Sequence, residues 1–289
     1  MVRKSQRTAG WKLALVAGAA LMVAACNTPA APPTPTPVPI PAVTVDVSDT
    51  ALTVPAEMPA GLVAVTVKNS GQSPHSPFFA RLNEGVSADS FMQTLQTDES
   101  GAAAIAQVTL LGGAQVAPGA SQRMVFDLQP GSHIALDFGE GPGAGPPQVI
   151  GFEVKASDGP APAEPAAMVN AGMKDFQFTL PDQIKAGAQT WKIENTGGQW
   201  HEMAIFKLNE GVTVDDLMAM MMSGEEPEGP PPYEQMAFWA PMSAGQHAWM
   251  DVDLPAGTYT VLCFLPDFAS DPPMSHLEHG MVRTLTVTE

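Results

Sequence analysis

Cysteine, histidine, basic residues and long apolar runs are all scarce in this chain of 289 residues. Lys and Arg number 13 against 30 Asp and Glu, a formal net charge of −17. A surface so acidic repels nucleic acid and anionic membranes, which excludes a nucleic-acid partner. The apolar run Leu13 to Ala25 falls short of the roughly 20 residues that a membrane-spanning helix needs. With six His and no His-x-His pair, a cluster of catalytic metal ions lacks ligands. No Ser-His-Asp arrangement, Gly-rich phosphate loop or paired-carboxylate signature stands out, so the chain reads as a non-enzyme.

What is present begins with an export leader. Arg3, Lys4, Arg7 and Lys12 precede the apolar run, which ends in small residues. Val23-Ala24-Ala25-Cys26 closes it and resembles a bacterial lipobox. That resemblance implies that residues 1–25 are removed and that Cys26 becomes a lipidated first residue. The protein is then anchored in the cell envelope, facing the periplasm or the exterior. One acyl chain holds weakly, so the several chains of a bacterial lipoprotein are needed for stable attachment. Residues 26–42 carry Pro at nearly every second position and read as an extended stalk. Loss of the leader removes four of the 13 basic residues, leaving nine against 30 acidic ones, a net charge of −21. Such a charge suits a basic partner protein, or solubility alone. With Cys26 consumed, Cys263 is left without a disulfide partner: it is a buried bystander, a reactive group or a metal ligand.

The rest of the chain repeats itself at an offset of 126 residues. Asn69 meets Asn195, His75 meets His201, and Leu82-Asn83-Glu84-Gly85-Val86 meets Leu208-Asn209-Glu210-Gly211-Val212. The register holds at Leu128 and Leu254, Gly131 and Gly257, and Phe138 and Phe264. This gives two domains, 43–155 and 167–289, joined by an Ala/Pro/Gly-rich linker at 156–166. Alternation of Trp191 and Ile193 with Lys192 and Glu194, and of Met250, Val252 and Leu254 with Asp251 and Asp253, predicts strands; Met124, Phe126 and Leu128 repeat it upstream. Pro255-Ala256-Gly257 is a turn, after which Tyr259, Val261 and Cys263 share one face of a strand. The fold class is all-β, an antiparallel sandwich per repeat, each with a short helical insertion started by Ser87 or by Thr213.

The second repeat gathers metal donors: His201 at a strand start, Cys263 at a strand end, and His276 and Met281 on the loop that follows. Two imidazoles, a thiolate and a thioether are the donor set of an electron-transfer copper site. Here the chain resembles the cupredoxins, the plastocyanin-like blue copper proteins. Asn195 followed by His201 is similar to their first ligand segment. Gly257-Thr258-Tyr259-Thr260-Val261-Leu262-Cys263 is similar to their thiolate strand, and His276 to Met281 keeps their spacing of five. The resemblance implies two tandem Greek-key sandwiches, with His201, Cys263 and His276 as equatorial ligands and Met281 as the axial one. It also implies one copper per chain, one-electron transfer, and a redox or copper-handling partner protein. Thirteen positions separate Cys263 from His276, where the family usually places only a few.

Each donor alone has a bland reading: Cys263 as a small core residue, His201 and His276 as loop histidines, Met281 as core filler among 17 Met. His279 can replace His276 as ligand. Met218, Met220, Met221 and Met222 fit a cuprous-ion binder, or the packed face of a helix. Trp200 can cover the metal edge, dock a partner or pack the core. Zinc can occupy the same three strong donors, although divalent copper outcompetes it. Storage or hand-on of copper, and a metal-free surface module, are the other functional readings. The first repeat is expected to be metal-free, because Asp137 stands in place of Cys263, the loop Gly139 to Gln148 holds neither His nor Met, and His75 is left without partners.

Overall fold

Burial follows the expected alternation. In the strand Gly187–Asn195, Trp191 and Ile193 are buried while Glu194 is exposed, and in His247–Leu254 the buried Met250, Val252 and Leu254 flank the exposed Asp253. The computed structural model describes residues 37–98, 100–139, 147–223, 229–272 and 274–289. Cys26 and the leader lie outside the described residues, as do 140–146 of the first repeat's closing loop. The expected helices are present at Ala88–Thr97 and Val214–Ser223. Ser87 accepts from Ser90 N–H while Ser90 Oγ accepts from Ser87 N–H. Thr213 and Asp216 repeat that reciprocal cap. An additional turn of helix, Ala102–Ile105, had no sequence signal.

Two sheets run through both repeats. One orders its strands Gln177–Thr179, Val169–Lys174, Gly187–Asn195, His247–Leu254, Ser121–Leu128, Gly61–Asn69, Ala42–Ser48, Ala51–Thr53. The other passes from Gln183–Lys185 through Val282–Thr288, Gly257–Leu262, His201–Leu208 and Tyr233–Met242 into Val108–Gly113, Phe78–Leu82, Gly131–Asp137, Gln148–Lys155 and Glu57–Pro59. Side chains from the facing sides of both sheets, and from both repeats, form one large core that includes Val65, Met124, Phe79, Trp191, Met203, Trp239 and Val261.

The seams join each strand to its own counterpart. Met124 lies opposite Met250, Val125 opposite Trp249 and Phe126 opposite Ala248, all antiparallel. Since Met250 is Met124 displaced by the repeat, this pairing has the self-complementary form of a two-fold interface. In the second seam Leu111 pairs with Met242 and Ala114 bridges to Trp239. Ser243 clamps it by donating N–H to the Leu110 carbonyl and accepting Leu110 N–H at its Oγ, each at 2.9 Å. Gly112, at φ +94°, lets the Trp239 indole pass: a Cβ there would stand 2.4 Å from the ring.

The outer face of the second sheet is covered as well. Leu217 of Val214–Ser223 packs with Ala204, Phe206, Leu262 and Leu277, and Met218 and Met220 join this cluster from the edge. Those two methionines therefore take the packing role. Met221 and Met222 have side chains outside the described set. With apolar cover on both faces, His201–Leu208 is buried continuously from His201 to Phe206, and the first donor starts inside the protein.

Candidate metal centre

His201 is presented by the turn that follows Gly187–Asn195. The buried Asn195 amide donates to the carbonyls of Gln199 and Met242, both at 2.8 Å, and its Oδ1 accepts from Gly197 N–H at 3.0 Å. Asp175 braces the same turn by accepting the N–H groups of Gly198 and Gln199. Cys263 follows directly on Gly257–Leu262, which pairs with His201–Leu208 through Ile205 opposite Val261. The long connection to His276 folds on itself, Pro266–Asp267 pairing with Met274–Ser275 as a two-stranded ribbon. That ribbon returns His276 to the thiol, with its N–H donating to the Leu265 carbonyl at 2.7 Å. The extra loop length therefore does not displace the donor. Met281 is fully buried and tied between the others: its N–H donates to the His276 carbonyl at 2.9 Å and its carbonyl accepts from Cys263 N–H at 3.3 Å.

The donor atoms of His201, Cys263 and His276 lie within 4.8 Å of one another, and all three residues are fully buried. The two Nδ1 atoms are 3.0 Å apart, and Cys263 Sγ is 3.4 Å from His276 Nδ1. His201 Nε2 faces Asp175 Oδ1 at 3.3 Å, and His276 Nε2 faces Gln199 Oε1 at 3.0 Å. Both outer partners are oxygen acceptors, so each Nε2 carries the proton and each Nδ1 presents a lone pair inward. Two lone pairs at that separation repel unless a cation lies between them. Metal–nitrogen bonds of about 2.0 Å in a tetrahedral array place two nitrogens about 3.3 Å apart. These residues fit a mononuclear metal.

Burial sets the protonation states. It pushes the Cys263 thiol up to about 12, assisted by the nearby Glu202 carboxylate, and it pulls His276 down to about 4, assisted by His201. Burial also lowers His201 against the opposing pull of Asp175. Glu202 is itself buried and raised to about 7 by loss of solvent, partly offset by the N–H of Phe264 that its Oε1 accepts at 3.0 Å. Its own N–H points to Cys263 Sγ at 3.5 Å.

His279 is not brought to the cluster. Its ring stacks on Phe176 at 4.3 Å, and its Nε2 lies 3.2 Å from Asp267 Oδ2 without hydrogen-bond alignment. Trp200 packs at the boundary of the core, donates to the Pro266 carbonyl at 3.4 Å and stacks on Phe268. Asp175, Gln199 and Glu202 were missed by sequence reasoning. Asp175 had a signal, since Asp49 stands 126 residues before it; Glu202 had only its charge inside an apolar strand.

The first repeat keeps the scaffold and changes the chemistry. Asn69 and Asp49 hold their turn as Asn195 and Asp175 do. His75 Nε2 faces Asp49 Oδ1 at 3.3 Å, and its Nδ1 meets Asp137 Oδ2 at 2.7 Å. His75 is therefore not left without partners: a buried carboxylate takes the place of the metal site.

No family model matches the chain, and no curated protein matches it in sequence. Among solved structures, a dithionite-reduced auracyanin from the photosynthetic bacterium Roseiflexus castenholzii is 19% identical over 42% of this chain and 95% of its own, with a TM-score of 0.29. Auracyanin B is 20% identical over 44% and 94%, at 0.31. A copper nitrite reductase from Nitrosomonas europaea is 15% identical over 86% and 94%, at 0.24. At these scores the likenesses add nothing to the site. The metal centre stands on its own side chains.

Proposed function

We propose that the protein is an exported, lipid-anchored electron carrier that holds one copper ion between His201 Nδ1, His276 Nδ1 and Cys263 Sγ, with Met281 as a weak fourth ligand. One observation carries the reading: two inward imidazole lone pairs 3.0 Å apart, each fixed from behind by an oxygen acceptor, beside a buried thiol. Copper bound there supplies reversible one-electron exchange, since sulfur favours the reduced ion and imidazole the oxidised one. The chain's residues do the rest. Asp175 and Gln199 fix the ring tautomers, Glu202 N–H orients the sulfur, and complete burial excludes water as a ligand. The acidic surface supports a basic redox partner, and the Val23 to Cys26 motif with its Pro-rich stalk supports tethering at the envelope.

Titrating Cu(II) into the purified protein should produce intense visible absorption that saturates at one equivalent. Cys263→Ala should abolish it and His75→Ala should keep it. Met281→Leu should retain the metal and shift its reduction potential, because a thioether would be a weak ligand beside a thiolate and two imidazoles. A colourless complex with Cu(I) alone would favour storage or hand-on, and the absence of any binding would leave a metal-free module.

A further inference from the structure

The two-residue connection Asp175-Phe176 joins Val169–Lys174 to Gln177–Thr179, with Lys174 opposite Gln177. Phe176 takes φ +63°, in the left-handed region, and among the described residues no other non-glycine has a positive φ. A turn that needs this conformation ordinarily uses Gly or Asn, because a Cβ crowds the backbone there. The length of the turn does not demand it. In the first repeat Asp49-Thr50 closes the same connection, with Ser48 opposite Ala51, and Thr50 has no positive φ. The strain belongs to the repeat that carries the metal donors, and a strained residue persists only where its surroundings hold it.

The ring contacts show what holds it. Phe176 is half-buried against the main core. It meets the His276 imidazole edge to face, with centroids 5.2 Å apart at 80°, and stacks on His279 at 4.3 Å and 29°. His276 is fully buried while the His279 side chain is 24% exposed, so Phe176 links a buried ligand to a ring that reaches water. The neighbouring Asp175 faces the other imidazole, at His201 Nε2. One turn therefore serves both histidines, Asp175 with an acceptor and Phe176 with an apolar ring. That ring has no hydrogen bond to give and fixes no tautomer; what it does is keep water and dissolved ligands off His276.

We infer, on the copper reading of the site, that Phe176 is the residue that closes this centre: its ring, kept in place by an unfavourable turn conformation, seals the His276 imidazole against water and small anions. Closure suits a carrier, which exchanges electrons without a free coordination position, whereas a catalytic metal keeps one open for water or substrate. Thr50, at the same turn of the repeat without the donor set, has no ring and nothing to seal.

The whole purified protein is tested without metal and with it. In the metal-free protein, deuterium exchange at the imidazole C2 position of His276 should be several-fold faster in Phe176→Ala and Phe176→Gly than in the wild type and unchanged in Thr50→Ala, while exchange at the buried His133 stays slow in all of them. Phe176→Gly should melt above Phe176→Ala, the reverse of the usual order, because glycine relieves the left-handed φ. In the Cu(II) form, azide should leave the wild-type visible and electron paramagnetic resonance spectra unchanged and shift those of both variants saturably. Exchange at His276 that is no faster in the variants, or that rises equally at His133, would overturn the assignment, as would azide-insensitive variants with copper bound or Phe176→Ala melting above Phe176→Gly. A wild type that binds no copper would overturn the copper reading and with it the purpose of the seal, and the exchange rates would still show whether His276 is sealed.

Discussion

Asp137 and Cys263 occupy the same position of the two repeats, and each answers a histidine Nδ1 in its own way. His75 has a carboxylate oxygen facing each ring nitrogen. Removing it leaves a buried Asp137 oxygen without its hydrogen-bond partner, a loss that costs about 1–3 kcal/mol. His75→Ala should therefore lower the urea midpoint substantially while copper stoichiometry stays at one; an unchanged midpoint would contradict the pairing. His133 is the opposite case. It is buried with Nδ1 on the Gly131 carbonyl and Nε2 without a partner among the described residues, and burial holds its pKa below the ordinary value. A depressed histidine contributes stability that is present above about pH 6.5 and is lost as pH falls towards its folded pKa, because the unfolded chain takes up the proton first. Between pH 7.5 and 5 the wild type should lose more unfolding free energy than His133→Phe. Parallel losses would show that this imidazole is not the cause.

At the scale of elements, the metal centre depends on one turn and one ribbon. Gly197 sits where a Cβ would stand 2.5 Å from Asp175 Oδ1 and 3.0 Å from His201 Nε2. Gly197→Ala should push Asp175 away from the imidazole and weaken copper about 10- to 100-fold, the usual cost of losing an outer partner of a ligand. Gly71→Ala makes the corresponding clash with Asp49 in the first repeat and should leave copper affinity unchanged; competition with a chelator measures both. The turn, the two strands and the order of His201, Cys263, His276 and Met281 were legible in the sequence, because periodicity and repeat register mark them directly. The ribbon Pro266–Asp267 with Met274–Ser275 was not, since two-residue strands have no period to read. Nor was the burial of Glu202, a charged residue whose carboxylate is met by the N–H of Phe264 from the neighbouring strand's end.

At the scale of the molecule, the seams decide how the protein behaves as a whole. They were partly written in the chain: Met124-Val125-Phe126 and Ala248-Trp249-Met250 are apolar on consecutive positions, which a strand covered on both faces permits and a half-exposed one does not. Val125 and Trp249 indeed share a second, smaller cluster with Leu62 and Ala64 behind the sheet. What no local pattern carried is that each of these strands pairs with its own counterpart. Because both sheets and the main core cross the seams, neither repeat can unfold without exposing Trp239, Met242, Met124 and Phe126 of the shared interior. The four tryptophans among the described residues, Trp191, Trp200, Trp239 and Trp249, all belong to the second repeat, so their fluorescence reports that repeat while circular dichroism reports both. Thermal unfolding of the metal-free protein should give one transition at the same midpoint by the two methods. His75→Ala, a change confined to the first repeat, should lower the fluorescence midpoint as far as the dichroism midpoint. A fluorescence transition that ignores this substitution would mean that the repeats unfold separately and that the seams carry little of the stability.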